Sequence, residues 1–415
     1  MLAHLLLFGK VVAVVFRQTW VLFRLRIASM VHRLTYRPGA QPKNIVVVGA
    51  SFAGYHTARC LVNSIPSGYR VVVIEKNSHF QLTWVLPRFC VVAGHDNKPF
   101  IPYGAYLKGP PGSSLWVTDT VGNIEPGKDG HGRVQTAAGE WIDYEYLVLA
   151  TGSSAGLPSR VCAETKSDGM KALYNQRQKL AAAHDIVVMG GGPAGIELAA
   201  DAKAQFPRKN VTLIHSRKTL LNDGFGVKLH RAILKEMENL GVKLVPGEKP
   251  AIPDGETGDI TLNEGSVHFD CLIRCTGQRP NSSMMHFLDS SAFSASGHIR
   301  VKPSLQVADD AFHCIYAAGD VIDGGAFKNA RSSFEQGQTV AQNIVRSIKG
   351  QQQIEYRQKW WEGTTKLTLG LAKSVVYIAD GRAEWVISSG QKVELDSPRV
   401  WKYLGVTPYV DDTGN

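Results

Sequence analysis

Aspartate and glutamate are absent from the first 44 residues of this 415-residue chain, which nevertheless carry Lys10, Arg17, Arg24, Arg26, Arg33, Arg37 and Lys43. The net charge of the whole chain is +10, so the remainder holds only +3. So small a surplus excludes a strong basic face on the body, and with it a nucleic-acid footprint. Cysteine is scarce: six in a chain this long exclude a disulfide scaffold. Cys271 and Cys275, in VHFDCLIRC, read as strand residues about 13 Å apart, whereas disulfide Cα atoms lie within about 7 Å. Both are expected to be structural thiols. Low-complexity segments are absent and no metal site is expected. Hydrophobic content of 44% and charge of 20% are globular values, and the length predicts two or three domains.

The acid-free segment opens MLAHLLLFGKVVAVVFRQTWVLFRLR. Leu2 to Phe23 is long enough to cross a bilayer, but Lys10 falls near its centre, where a cation is costly. Lys10, Arg17 and Arg24 recur every seven residues and would form one stripe on a helix. With Trp20 beside them, the pattern suits a helix lying in the headgroup plane. An Arg-rich mitochondrial presequence and a true span remain open alternatives. The localisation expected is therefore membrane-associated, on a cytoplasmic face or at the mitochondrion, with the membrane surface as a partner.

Beyond residue 43 the chain repeats itself. NIVVVGASFAG, a helix to about Val62 and YRVVVIEK make a βαβ unit, and HDIVVMGGG, PAGIELAADAKAQF and NVTLIHSRK make another. YEYLVLATGSS, FDCLIRCTGQRPN and FHCIYAAGDVID are further strands, each running into a glycine turn. The fold class predicted is α/β, with two Rossmann-like dinucleotide-binding domains and a small C-terminal α+β region. The expected boundaries are an N-terminal helix at 1–43, a flavin domain at 44–155 and 276–345, a nicotinamide domain inserted at 156–275, and a C-terminal region at 346–415.

Each βαβ turn has the chemistry of a pyrophosphate cradle. A first glycine makes the strand-to-helix turn, a second admits the pyrophosphate, and a third lets helix pack on strand. The helix N-terminus adds N–H donors and about half a positive charge. Gly190, Gly192 and Gly195 supply all three in the later turn. The earlier one, Gly49-Ala50-Ser51-Phe52-Ala53-Gly54, has serine in the middle. Glu75, followed by Lys76, ends the next strand and can accept hydrogen bonds from a ribose diol. The matching place in the second unit reads His215-Ser216-Arg217-Lys218. Ser216 and Arg217 there favour, or tolerate, the 2′-phosphate of NADPH. Two facing cradles are what hydride transfer from a visiting NAD(P)H to a resident FAD requires.

The pieces VVVGASFAG, LVLATGS, VMGGGPAGIELAAD, LIRCTGQRPNSS and YAAGDVID, in this order, resemble the two-dinucleotide-binding-domain flavoproteins of the pyridine nucleotide-disulfide oxidoreductase superfamily. Within it the chain is similar to the apoptosis-inducing-factor-like oxidoreductases. That resemblance implies FAD, NAD(P)H and reduction of a quinone or another small acceptor. It implies that Asp320, with Gly319, hydrogen-bonds the ribitol, that Arg88 lies against the flavin nucleotide, and that Val121 touches its adenine end. Thr151, Gly152 and Gly277 fall in the associated glycine turns. Lys328 and the helix start near Ala330 would face the flavin pyrimidine, and Glu197 would lie near nicotinamide and flavin. Lys328 and Glu197 are the candidate catalytic residues. Disulfide reductases of the superfamily carry a cysteine pair near the first flavin helix. Here Cys60 and Cys90 are far apart in sequence, so the acceptor is expected to meet the flavin itself. A pathway-specific flavin oxidoreductase and an NAD(P)H-sensing effector are the alternatives. The sequence leaves the oligomeric state open.

Overall fold

A computed structural model of the protein describes residues 2–127, 131–253, 255–325 and 327–411. The chain divides into two compact units. One comprises 1–78, 103–154 and 279–362, the other 79–102, 155–278 and 363–415.

The chain begins with helix α1 (Leu2–Thr35), the one helix among the described residues long and apolar enough to cross a membrane. The first unit then lays down β1 (Lys43–Val48), α2 (Phe52–Val62), β2 (Tyr69–Ile74), β3 (Ser114–Val117) and β4 (Tyr146–Leu149). In the second unit follow α3 (Lys166–Ala182), β5 (Asp185–Met189), α4 (Pro193–Gln205), β6 (Asn210–His215), α5 (Val227–Leu240), β7 (Lys243–Pro246) and β8 (Cys271–Arg274). The chain returns to the first unit with β9 (Ile315–Ala317) and α6 (Ala330–Ile348). It ends in the second with β10 (Thr365–Thr368), β11 (Lys373–Ala379), β12 (Glu384–Gly390) and α7 (Ser397–Tyr403).

Each unit is built on a parallel sheet, ordered β9-β4-β1-β2-β3 in the first and β7-β6-β5-β8 in the second. The uninterrupted apolar runs are what a sheet covered on both faces demands. Ile45–Val47 and Val71–Val73 are fully buried, and Ile186–Val188 nearly so. The registers Val48 with Ile74 and Met189 with Ile214 make Glu75 and His215 equivalent positions, one step past those pairs. This is the predicted fold class, two Rossmann-like units.

Three expectations change. Segment 79–102 leaves the flavin part, because its anchors are in the second unit. Arg177 of α3 grips Asp96 through two hydrogen bonds of 2.7 and 2.9 Å, and Phe100 sits where a Cβ on Gly169 would be, 2.4 Å from its Cζ. The C-terminal region splits at 362/363. Residues up to 362 stay with the first unit, where buried Glu362 accepts from Tyr356 Oη (2.6 Å) and Lys359 N (3.0 Å). VHFDCLIRC is not one strand: Ser266–Phe269 pairs antiparallel with Gly258–Thr261, and Cys271–Arg274 joins the parallel sheet. Between them the Asp270 carboxylate accepts from His184 N and Asp185 N, both at 2.9 Å, and so starts β5. All six cysteines are free.

Candidate functional site

The two cradles are built alike. In the first, Gly49 has φ +89°, and a Cβ on it would lie 2.6 Å from the Ala150 carbonyl oxygen that follows β4. In the second, Gly190 has φ +117° and the equivalent clash, 2.6 Å, is with Cys275 O after β8. A Cβ on Gly54 would lie 1.8 Å from Gly49 O, and one on Gly195 1.9 Å from Gly190 O. These glycines are demanded by the protein's own backbone.

Gly192 is different. Its φ is −79°, open to any residue, and a Cβ there would meet nothing within 4 Å. Ser51 holds the matching place with φ −84°. The space over Gly192 is open to the close approach of a ligand to the backbone. The helix ends agree. α3 and α6 are capped by Thr165 and Asn329, but Ser51 makes no side-chain bond to the start of α2, and Gly192 has no side chain to offer α4. Both leave first-turn N–H groups for phosphates, so the residues present fit two dinucleotides.

The two strand ends differ in charge. Buried Glu75 accepts from Ala50 N at 2.5 Å and from Asn77 N and Nδ2 at 2.8 and 2.6 Å. Lys76 beside it is exposed. At the equivalent position His215 Nδ1 accepts from Gly191 N at 3.1 Å, so this ring acts as an acceptor, and burial holds its pKa below the usual imidazole value. Ser216, Arg217 and Lys218 are exposed beyond it, and among the described residues the Arg217 side chain is tied down only by Nη1 to Leu221 O, 3.2 Å.

Around the first cradle, Asp320 Oδ2 accepts from Ser153 Oγ at 3.2 Å, and Lys328 Nζ donates to Asp320 O at 3.3 Å. Gly319 (φ +86°) donates to Gln336 Oε1 at 2.8 Å. Thr151 Oγ1 donates to Asn281 O at 2.6 Å, and Asn281 N to Gly152 O at 2.9 Å. Phe52, Ala53 and Val121 are buried. The start of α6 offers less than expected, since Asn329 Oδ1 already accepts from Arg331 N and Ser332 N at 2.9 and 3.0 Å. In the second unit Gly277 has φ +79° and open space around it.

Arg88 revises the sequence reading. It lies in the second unit, fully buried, donating to Asp201 through Nε (2.6 Å) and Nη2 (3.0 Å), and to the carbonyls of Gly370 and Leu371 at 3.0 and 3.1 Å. Four of its five N–H groups are committed, so a nucleotide contact would rest on one Nη1 hydrogen. Asp201 lies one turn beyond Glu197 on α4. Glu197 Oε1 accepts from Thr368 N at 2.9 Å. Burial, with Asp201 nearby, pushes the Glu197 carboxyl up to about 8. At neutral pH the protonated form is favoured, an acid that accepts from Thr368 N and carries an O–H donor. Arg88→Ala leaves Asp201 buried and unpaired and is expected to destabilise by about 3–5 kcal/mol. Thermal denaturation measures this, and Arg88→Lys should recover part of the loss.

Sequence reasoning missed Asp201, Asn281, Gln336 and Tyr103, whose hydroxyl donates to Ala50 O at 3.0 Å. Only Asp201 had a signal, its i+4 spacing from Glu197.

The pyridine nucleotide-disulphide oxidoreductase family matches residues 43–343. The chain belongs to this family. Fe-regulated protein 8 of Mycosarcoma maydis is 30% identical over 390 residues, 88% of this chain and 96% of its own length. Ferroptosis suppressor protein 1 of Homo sapiens is 28% identical over 315 residues, 74% of this chain and 81% of its own. The sulfide:quinone oxidoreductase of Aquifex aeolicus has the same fold, with a TM-score of 0.70 at 18% identity over 87% of this chain and 90% of that one. The cofactors of this oxidoreductase are FAD and NAD(P)H.

Unlike the reductases that give the family its name, this member carries no C-x4-C in its first flavin helix or after it. Burial pushes the Cys60 and Cys275 thiols up to about 12 and Cys271 to about 11, so none is a ready thiolate at neutral pH.

Proposed function

We propose that this oxidoreductase takes electrons from NADPH in preference to NADH and delivers them through FAD to a quinone, without a dithiol, at a membrane surface. The observation that carries the reading is the pair of matched cradles with unlike strand ends, Glu75 in one and His215-Ser216-Arg217 in the other. The nicotinamide supplies a hydride, and the flavin holds its electron pair for the acceptor. The protein's own part is to hold and orient. Glu75 receives a ribose diol. A carboxylate at the position of His215 would repel a 2′-phosphate, whereas a neutral imidazole admits it. Arg217, with most of its N–H groups uncommitted, grips it through charge-assisted hydrogen bonds. Asp320 would receive the ribitol, and Lys328 beside it would supply a cation for the charge of the reduced state. The quinone reading draws on the lack of a C-x4-C pair near the first flavin helix and on the likeness to ferroptosis suppressor protein 1. The membrane reading draws on α1.

The test is the visible spectrum of the purified flavoprotein under anaerobic NADPH. Rapid bleaching, followed by recovery of colour on adding a soluble quinone, is the expected result. A long-lived charge-transfer band without turnover would favour an NADPH sensor instead. A small organic substrate outcompeting quinones would favour the pathway-specific enzyme. Arg217→Ala should raise KM for NADPH about tenfold or more, the worth of a lost charge-assisted bond, and leave KM for NADH unchanged.

A further inference from the structure

Helix α1 presents three different surfaces, as winding at about 100° per residue shows. Leu7 is fully buried, and Val11, Val14, Gln18, Val21 and His32 on the same side are half-buried. On the opposite side, Phe16, Trp20, Phe23, Ile27 and Met30 are 73, 61, 52, 48 and 65% exposed. They fall in an apolar sector about 100° wide that no charged residue enters. Lys10, Arg17 and Arg24 line one edge of this sector. Arg26 and Arg33 line the other. The last turns of the helix are bolted to the first unit. Ser29 Oγ donates to Asn63 Oδ1 at 2.5 Å, His32 Nε2 to Ile65 O at 2.8 Å, and Arg33 Nη2 to Lys108 O at 2.9 Å.

An apolar face of this length exceeds what a soluble surface ordinarily leaves open. Its rims settle which occupant suits it. Cations along both edges and no acid in the helix complement the anionic headgroups that border hydrocarbon, whereas the core of a protein interface is depleted of charge. A spanning helix would have lipid on every side and no use for a covered face.

We infer that α1 is a fixed mount: it lies in the plane of an anionic bilayer with the Phe16–Trp20–Phe23 face in the acyl region, the basic edges among the headgroups, and the opposite face on the protein. The inference deepens the membrane reading above. Because the bolts are side-chain contacts with the flavin-cradle unit itself, the mount holds that unit at one orientation to the lipid rather than on a slack tether.

The test places an environment-sensitive nitrobenzoxadiazole label at position 16 or 18, as Phe16→Cys or Gln18→Cys in a Cys162→Ser background. Each variant's folding is verified by NADPH bleaching of its flavin. With phosphatidylcholine/phosphatidylserine vesicles, the label at 16 should shift to the blue and brighten several-fold while that at 18 stays within about 1.5-fold, as an in-plane helix requires. Replacing Lys10, Arg17 and Arg24 by glutamine should remove about tenfold or more of the preference for anionic over neutral vesicles. Equal brightening at both positions would overturn the mount in favour of a spanning helix. Brightening at neither would remove the bilayer as occupant. Bleaching and soluble-quinone turnover are independent readouts, so failure of the mount is told apart from failure of the electron-transfer reading.

Discussion

Gly195→Ala is expected to cost the second unit about 3 kcal/mol or more, whereas Gly192→Ala, three residues away in the same turn, should leave its stability nearly unchanged. A Cβ at 195 lands 1.9 Å from Gly190 O. The obstacle is backbone, so α4 and the end of β5 must part, and overpacking of this kind costs about 1–3 kcal/mol even where side chains can yield. At 192 the backbone is already in a conformation open to alanine, and the added methyl meets no protein atom. Under the proposed function it would meet the dinucleotide, whose pyrophosphate comes against the helix N-terminus. The expected result for Gly192→Ala is an unchanged melting temperature and a Kd for NADPH raised about tenfold or more, the cost of roughly 1.4 kcal/mol of lost contact. Thermal denaturation without NADPH and titration of tryptophan fluorescence with it separate the two effects. Similar behaviour of both variants would show that the open space over Gly192 is not a binding surface. Ser51 provides a control, since the first cradle already tolerates a side chain at the matching place.

Glu197→Gln is expected to remove a pH dependence from both stability and turnover. The folded-state pKa of Glu197 is raised from an ordinary carboxyl value to about 8, chiefly by burial. The folded chain therefore keeps a proton that the unfolded chain gives up above about pH 4.5. The stability contributed by that proton is full below this value and lost as pH rises through about 8. The wild type should thus lose melting temperature between pH 6 and 9 where Glu197→Gln is flat, since glutamine keeps both the acceptor for Thr368 N and a donor in place of the acid O–H. With Glu197 near the nicotinamide, as the family resemblance implies, flavin reduction by NADPH should fall above pH 8 in the wild type. It should be pH-independent and within about threefold in Glu197→Gln, and about 10²-fold slower at every pH in Glu197→Ala, in the range of one lost preorganised donor. Stopped-flow bleaching from pH 6 to 9 measures all three. A limb that persists in the glutamine variant would assign the titration elsewhere.

Asp201 ties these expectations to the tertiary structure. Its charge, held by Arg88, favours the neutral form of Glu197. The turn carrying Thr368, Gly370 and Leu371 supplies one N–H to Glu197 and two carbonyls to Arg88. Two acids one helical turn apart thus fasten the end of β10 to α4, one as a neutral group and one as half of an ion pair.

How much of this was legible beforehand follows from the range of each interaction. The two cradles, their strands and the Glu75/His215 difference are consequences of local pattern. An apolar run, a glycine at φ near +90° and a helix start lie within thirty residues of one another, and the sequence determined them alone. The Lys10–Arg17–Arg24 edge of α1 was visible as a heptad spacing for the same reason. What the tertiary structure decided was everything depending on partners distant in the chain. Arg88 could be read as a cation against the flavin nucleotide because Asp201 is 113 residues away, and the anchoring of Glu197 was invisible because Thr368 is 171 residues away. The half-covered face of α1 was equally invisible, because Asn63, Ile65 and Lys108 reach it only once the first unit has folded. Burial, not composition, sets the protonation of Glu197, and burial is a property of the packed fold.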